Sequence, residues 1–586
     1  MDFEETKSYR CKVNLKPRSI KPVVGCEINP VVSIRAEGHF ATSSYSLNFK
    51  WYKEQSEPKV CSTHRDKLAT LQCISCVKLK IPAKDSYYCS TKCFINSWKT
   101  HLQRHHYKTE KIKETSTDDK QTVRKIRSCG SWPEFSSEFL IGERAVAEEG
   151  NKWILVGCSK NYVPKIDDLG LNLKLECVAV DILTDTALSE MSVIVTDHVM
   201  EFPLAKPRRM VQIRHQHEYS NLCSSSFNGI TFSILSYNIL SDLYTVRRYR
   251  HCPQWALAWE YRRQNLLREI IDYDADIICL QEMQSDHFES FLKPELTKKG
   301  YLAIYKKRTN EVYTANQYVT DGCATFYQCD LFKEVMKYEI EFNKKTSPVV
   351  EALKPELRNE ASIRLKKDNV ALVVILETLE SCHTYDAFRS SVCVVNTHIC
   401  SSPELPDVKL FQVVTLISEL EKILPSEIPL LICGDFNSVP QSDPHTYIVT
   451  SKLEHTESVD PHGIYQHLKL DHRFSMGSAY AKLGLAIAAQ ERQLGRFNLE
   501  TREPTFTYSA RGFSGTLDYI FFTVNNLEVE GLLELLDHKD VAAGLPSPLW
   551  SSDHIALMAS FRIPTQKLTT ALTHSCLQYL QNHEYW

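Results

Sequence analysis

Apolar and polar positions along the chain fall into two regimes. In the first part the apolar stretches are short and alternate with polar residues at period two, the spacing of strands with one buried face. Val23-Val24-Gly25-Cys26, Val31-Val32-Ser33-Ile34 and residues 47–52 are of this kind and predict a β-rich segment over residues 16–58. A second β-rich segment is predicted over 129–214. There Trp153-Ile154-Leu155-Val156 reads as a buried strand, and Leu171, Leu173 and Leu175 alternate with Asn172, Lys174 and Glu176 ahead of Cys177. From residue 230 to 564 strand-length apolar runs alternate with helical patterns, which predicts an α/β domain. Charged or Ser-rich stretches poor in large apolar residues mark linkers at 108–128 and 215–229. Residues 341–369 read as a polar surface excursion, and 565–586 as a partly helical tail.

No apolar run reaches the roughly 18 residues of a membrane span. The start, Met1-Asp2-Phe3-Glu4-Glu5, lacks the basic and apolar regions of a secretory signal. A cytoplasmic chain is expected, with the nucleus as second compartment and no membrane partner. A net charge of −3 argues against coating nucleic acid through a strongly basic surface and leaves room for an enzyme that grips through local patches.

The 20 cysteines change the picture more. Residues 59–107 carry four close pairs: Cys61-x2-His64, Cys73-x2-Cys76, Cys89-x3-Cys93 and His101-x3-His105. A tetrahedral zinc site takes four such ligands, so eight make two sites with no open position, which means structural Zn²⁺. If the sites interleave, Cys61, His64, Cys89 and Cys93 hold one ion, and Cys73, Cys76, His101 and His105 hold the other. The run Tyr88-Cys89-Ser90-x2-Cys93-x4-Trp98-x2-His101-x3-His105 closely resembles a MYND zinc finger, which implies a protein partner. His64 and His105 stand where that family usually has cysteine, and His106 is the alternative to His105. Trp51 before this zone, with Asp168 and Cys177 after it, is similar to an immunoglobulin-like sandwich with the finger inserted. The alternative is two unrelated β segments.

In the α/β domain acidic and amide residues recur at the ends of apolar runs, where such folds deliver functional groups. Ser236-Tyr237-Asn238, Leu280-Gln281-Glu282, Asn396-Thr397-His398, Gly434-Asp435-Phe436-Asn437, Leu517-Asp518-Tyr519 and Ser552-Asp553-His554 follow in order. Each alone is weak. Together they resemble the endonuclease–exonuclease–phosphatase superfamily, which implies a DNase I-like α/β four-layer sandwich and cleavage of phosphoesters. Such cleavage places negative charge on phosphoryl and leaving oxygens, which one or two Mg²⁺ ions on hard oxygen ligands would stabilise. The resemblance implies Glu282 and Asn238 as Mg²⁺ ligands and Asp435 at the attacking water. It further implies Asn437 on the phosphate, His398 and His554 as donors to phosphoryl oxygens, and Asp518 and Asp553 as groups that fix histidine tautomers or complete the metal site.

Finer runs narrow the substrate. Tyr237-Asn238-Ile239-Leu240-Ser241, Trp259-x2-Arg262-Arg263, Gln281-Glu282-Met283 and Asp321-Gly322-Cys323-Ala324-Thr325-Phe326 closely resemble carbon-catabolite-repressor-type deadenylases. This implies a 3′-5′ exoribonuclease acting on poly(A) RNA, with Pro403, Asn437 and Phe513 on the terminal adenine. Lys306-Lys307-Arg308 reads as a solvated basic loop. Yeast- and animal-type members carry leucine-rich repeats that dock a second deadenylase, but no L-x-x-L-x-L repeat occurs here. The plant and algal arrangement has a MYND-like finger instead. The expected partner at that finger is the DEDD-type deadenylase subunit of a larger complex. The rival readings are another phosphoesterase on the same fold and a non-enzymatic adaptor.

Overall fold

The computed structural model describes residues 11–16, 21–36, 45–55, 61–115 with short breaks, 135–136, 153–212, and 229–564 with short breaks. The expected helical tail and most of both expected linkers lie outside these residues. Two compact units emerge, residues 1–202 and 203–586.

In the first unit a four-stranded antiparallel sheet has the order Trp153–Gly157, Tyr45–Glu54, Asn172–Asp181, Ser192–His198. The alternation read at 171–177 is the strand Asn172–Asp181, whose Leu173, Leu175, Cys177 and Ala179 are fully buried. Cys177 and Ala179, with Leu47 and Phe49, share a core with Cys11 and Val13 of the hairpin Cys11–Lys16/Val31–Ala36, and Leu173 and Leu175 share one with Trp51, Tyr162 and Val199. Strands from before and after the cysteine–histidine zone therefore pair directly. Two expectations change. Trp153–Gly157 lies at the sheet edge with Ile154 and Leu155 exposed, so it is not a buried strand. Val23–Cys26 makes only one bridge, from Val23 to Met200, because Gly25 turns the chain at φ +79°.

The second unit stacks two mixed sheets. One has seven strands in the order Met210–Gln212, Glu528–Leu533, Leu557–Pro564, Gly229–Asn238, Ile277–Gln281, Gly322–Gln328, Tyr301–Lys307. The other has six: Phe332–Glu341, Val370–Thr378, Ser391–His398, Leu430–Asp435, Asp518–Thr523, Met476–Ser478. Their facing sides build one core, where Phe232, Ile234 and Cys279 meet Val374, Val394 and Ile520. Trp259–Tyr273 covers the outer face of the first sheet, and Pro406–Ile423 with Asp443–Thr450 covers the outer face of the second. That is the four-layer α/β/β/α sandwich. The all-buried run Val370–Thr378 suits a central strand covered on both faces.

Three boundaries shift. The helix Thr91–Thr115 passes the expected end of the finger at 107. Met210–Gln212, expected in the second β segment, pairs with Glu528–Leu533 as an edge strand of the catalytic sandwich. The polar segment 341–369 is no surface excursion. It folds into the helices Ser347–Ala352 and Arg358–Leu365, and Phe342, Val349, Leu353, Ala361 and Leu365 enter the core.

Candidate active site and metal clusters

The catalytic groups meet because of strand direction. Gly229–Asn238 runs parallel to Ile277–Gln281, and Ser391–His398 runs parallel to Leu430–Asp435, so these strands deliver Asn238, Glu282, His398 and Asp435 at one end of the sandwich. Asp518 starts a strand antiparallel to Leu430–Asp435 in direct register with Asp435. His554 precedes Leu557–Pro564, whose first residue pairs with Ser236. Beneath them Asn396 ties the sheets together, donating to Leu280 O and Ala324 O at 3.2 and 2.9 Å and accepting from Gln281 Nε2 at 2.9 Å. Glu282 and Asn437 hold left-handed backbone conformations at φ +54° and +48°, which non-glycine residues rarely adopt outside functional turns.

Asn238 Nδ2 donates to Asp435 Oδ2 at 3.0 Å and to Glu282 Oε1 at 3.3 Å, and lies 3.4 Å from His554 Nε2. His554 Nδ1 meets Asp518 Oδ2 at 2.8 Å, and Thr507 Oγ1 holds that same oxygen at 2.6 Å. His398 Nε2 and His554 Nε2 both stand 3.5 Å from Asp435 Oδ2. Asn437 donates its backbone N–H to Asp435 Oδ1 at 2.8 Å, and its side-chain amide donates to Ile399 O at 3.0 Å. Asp553 accepts from the Tyr249 hydroxyl at 2.6 Å and stands 4.0 Å from His554 Nε2. The two proposed base contacts lie nearer the surface. Pro403 is exposed, and Phe513 is 46% exposed on the hairpin Tyr508–Ala510/Phe513–Gly515. The Tyr508 ring stands between Phe513, at 6.0 Å, and His554, at 4.9 Å.

Arg308 corrects the reading of a solvated basic loop. Tyr301–Lys307 is a strand, Lys306 pairs with Glu339 and Glu341, and Lys307 pairs with Glu311. The Arg308 side chain is mostly buried, pairs with Asp321 at 3.2 Å, and places Nη2 3.2 Å from His398 Nδ1. A guanidinium can only donate, so Nδ1 of His398 accepts and Nε2 carries the proton. Asp321 falls inside a quoted motif but had no role assigned to it; neither Thr507 nor Tyr249 was singled out for one. Arg262 is fully buried and binds Ile239 O, Leu240 O and Ser551 O, joining the loops that carry Asn238 and Asp553.

Burial, then Asp553 and Asp321, push Glu282 up to about 8, and burial with Asp518 pushes Asp435 up to about 7. Burial opposes charge on His554, yet Asp518 and Asp435 hold it well above the usual imidazole range. Burial and Arg308 hold His398 well below that range. Crowded carboxylates with raised affinity for protons are a site that lacks positive charge. Among the described residues Asp518 Oδ1 and Asp553 Oδ1 have no hydrogen-bond partner, and Asp435, Asp518 and His554 offer ligand atoms within 4.8 Å of one another. Two of these three donors are carboxylate oxygens, and Glu282 adds a third carboxylate, so the site fits a hard divalent cation. Glu282 is suitably placed to hold it. Asn238 fits with its amide turned, because its oxygen as placed accepts from Leu240 N at 3.1 Å.

In the first unit the eight cysteine and histidine residues gather into two groups, Cys61, His64, Cys89, Cys93 and Cys73, Cys76, His101, His105. In the first, Cys61 Sγ lies 3.6 Å from Cys93 Sγ, and His64 Nδ1 lies 3.4 to 3.8 Å from the three sulfurs. In the second, His105 Nε2 lies 3.7 Å from Cys73 Sγ and 3.2 Å from Cys76 Sγ, and His101 Nε2 lies 3.2 Å from Cys76 Sγ. A tetrahedron with metal–ligand bonds of about 2.1–2.3 Å has edges of about 3.5 Å, so both sets fit zinc. Tyr88 Oη contacts His101 Nδ1 at 2.6 Å, which turns Nε2 to the cluster.

A model of the Endonuclease/Exonuclease/phosphatase family matches residues 235–554. The chain is 43% identical to carbon catabolite repressor protein 4 homolog 1 of Arabidopsis thaliana, over 92% of this chain and 96% of that protein. It is 41% identical to homolog 2 of the same plant over the same shares. Its identity to the CCR4-Not complex 3′-5′-exoribonuclease subunit Ccr4 of Schizosaccharomyces pombe is 31%, over 59% of this chain and 51% of that one. With its six strand-end motifs gathered at one edge, the chain belongs to the Endonuclease/Exonuclease/phosphatase family and, within it, to the carbon catabolite repressor 4 relatives.

Proposed function

We propose that this chain is a Mg²⁺-dependent 3′-5′ exoribonuclease that shortens the poly(A) tails of messenger RNA. The carrying observation is the convergence of Asn238, Glu282, Asp435, Asp518 and His554 at one end of the sandwich, each within 3.5 Å of another. A bound Mg²⁺ would offset the charge that develops on the phosphoryl and leaving oxygens. Glu282 would hold the ion, with Asn238 completing the set. Asp435, fixed by the Asn437 N–H, orients the attacking water and takes its proton. His398, its Nε2–H set by Arg308, and His554, set by Asp518, donate to phosphoryl oxygens. Asp518 and Asp435 keep His554 charged, Asp553 fixes the histidine tautomer or completes the metal site, and Asn437 helps seat the phosphate. Phe513 and Pro403 hold the terminal adenine, which suits the exposure of both and the place of Phe513 beside Tyr508.

The test is a 5′-labelled RNA ending in adenosines, incubated with Mg²⁺ or with EDTA. A ladder of shortened products that requires Mg²⁺ and disappears in Glu282→Ala is expected. Equal degradation of oligouridylate removes the adenine preference. Turnover of a cyclic nucleotide with the RNA left intact moves the chain to the phosphatase reading.

The first unit is read as an immunoglobulin-like sandwich carrying a two-zinc MYND-like finger. The pairing of Tyr45–Glu54 with strands on the far side of the finger supports this. The finger is the dock for a DEDD-type deadenylase partner, and the enzyme works in the cytoplasm, with the nucleus as a second compartment. Among the described residues no helix is long and apolar enough to cross a membrane. Cys73→Ala is expected to abolish capture of that partner, and unchanged capture refutes the dock.

A further inference from the structure

A two-stranded hairpin, Val312–Thr314 paired with Gln317–Val319, rises from the rim of the catalytic site and carries two large exposed aromatic side chains. Tyr313 and Tyr318 are direct cross-strand partners, 61% and 68% exposed, with ring centroids 5.0 Å apart. Such a ribbon is marginal in isolation, so its attachment is informative. Its base is closed by Arg308 N to Asp321 O at 2.9 Å, and Val319 and Thr320 are buried. Gln317 Nε2 donates to Asp286 Oδ2 at 3.1 Å, and Asp286 Oδ1 accepts from Gln284 at 2.8 Å. Gln284 accepts from the Ser241 hydroxyl at 3.0 Å, and the Ser241 N–H binds Glu282 Oε2 at 2.9 Å. A chain of hydrogen bonds thus runs from the ribbon to the carboxylate expected to hold the cation. Both roots of the ribbon reach the site as well, since Arg308 touches His398 and Asp321 stands close enough to Glu282 to raise it.

Chain length bounds the geometry. Tyr318 is three residues from Asp321, so at ~3.3 Å per residue its Cα lies no more than about 10 Å away. A strand whose 3′ nucleotide occupies the site has its next bases at this range. Every base offers a flat face, and tyrosine offers a flat ring with two rotatable bonds, so stacking here suits a strand that must advance without being read. Among the described residues the strands Val312–Thr314 and Gln317–Val319 carry no cationic side chain, so what they offer a nucleic acid is their rings.

Resting on the exoribonuclease reading, we propose that Tyr313 and Tyr318 form a stacking platform for the bases just upstream of the nucleotide being removed. The competing account is that the ring pair only stabilises the ribbon. Val and Ile keep strand preference but cannot stack on a base, so Tyr313→Val and Tyr318→Ile separate the two accounts. In the full chain each substitution is expected to raise KM for a long oligoadenylate by about 5- to 100-fold, with kcat unchanged. Hydrolysis of the p-nitrophenyl ester of adenosine 5′-monophosphate, which has no upstream base, should stay at the wild-type rate, and Tyr313→Phe and Tyr318→Phe should retain wild-type KM. Equal losses on long and short substrates would show that the ribbon supports the site instead, and an unchanged KM on the long substrate removes the platform. Wild-type protein that leaves oligoadenylate intact sinks the exoribonuclease reading and the platform with it. An active wild type with unaltered variants sinks the platform alone.

Discussion

Arg308 marks the limit of reading charges along a chain. In Lys306-Lys307-Arg308 three adjacent cations look alike, but the strand ends at Lys307 and Arg308 follows it. Lys306 and Lys307 pair with surface carboxylates, and Arg308 turns in to fix the tautomer of His398. The groups that position His554 divide similarly. Asp518 was legible from its motif, and Thr507, which holds the same carboxylate oxygen, was not, because its partner is 11 residues away on another strand. Away from the site, Glu419 shows how partners set a charge. Burial alone would raise it, yet hydrogen bonds from Lys345, Lys422 and Tyr338 outweigh burial and lower it to about 2. Because the folded value lies below the unfolded value of about 4.3, this carboxylate stabilises the fold above about pH 4.3, and the contribution fades as pH falls towards 2. Glu419→Gln is expected to lower Tm by about 2 °C at neutral pH, with the gap to wild type narrowing as the pH is brought to about 3.5. Thermal melts across that range check it, and a constant gap counts against it.

At the scale of elements, the strand pair Ser391–His398/Leu430–Asp435 sets the site's register, with His398 opposite Asp435. Gly434 is required there for two reasons. Its φ of +151° lies outside the range of ordinary side chains, and a Cβ would sit 1.9 Å from Thr397 O. That oxygen is backbone in a central strand and cannot yield. Gly434→Ala is expected to cost more than about 3 kcal/mol, seen as a lower urea midpoint or loss of folded protein. A wild-type midpoint would mean the strands are further apart than described. The helices at 347–352 and 358–365 were missed because their apolar residues are sparse, and only the sheet beneath supplies the surface they bury against. Trp153–Gly157 was misjudged for the converse reason: apolar residues at an edge strand look the same in sequence as those at a centre.

At the scale of the molecule, the catalytic sandwich begins earlier than its motifs. Residues 203–212 add an edge strand, and Arg208 donates from its guanidinium to Glu534 O, Ala556 O and the Tyr273 hydroxyl. Ala556 is two residues from His554, so this segment braces one of the site's loops. A fragment spanning 203–586 is expected to retain the catalytic domain's melting temperature and turnover. One spanning 215–586 should melt several degrees lower, and equal melting of the two would show the segment to be dispensable. The sequence by itself determined the six strand-end motifs and the eight metal-type ligands, because strand period and ligand spacing are local properties written within a few residues. Only the tertiary structure decided that the motifs share one edge, that the four cysteine–histidine pairs cross over, that Arg308 faces inward and that residues 203–212 belong to the catalytic unit. Each of those depends on which distant strand a segment pairs with, and pairing is selected by the burial of the whole core.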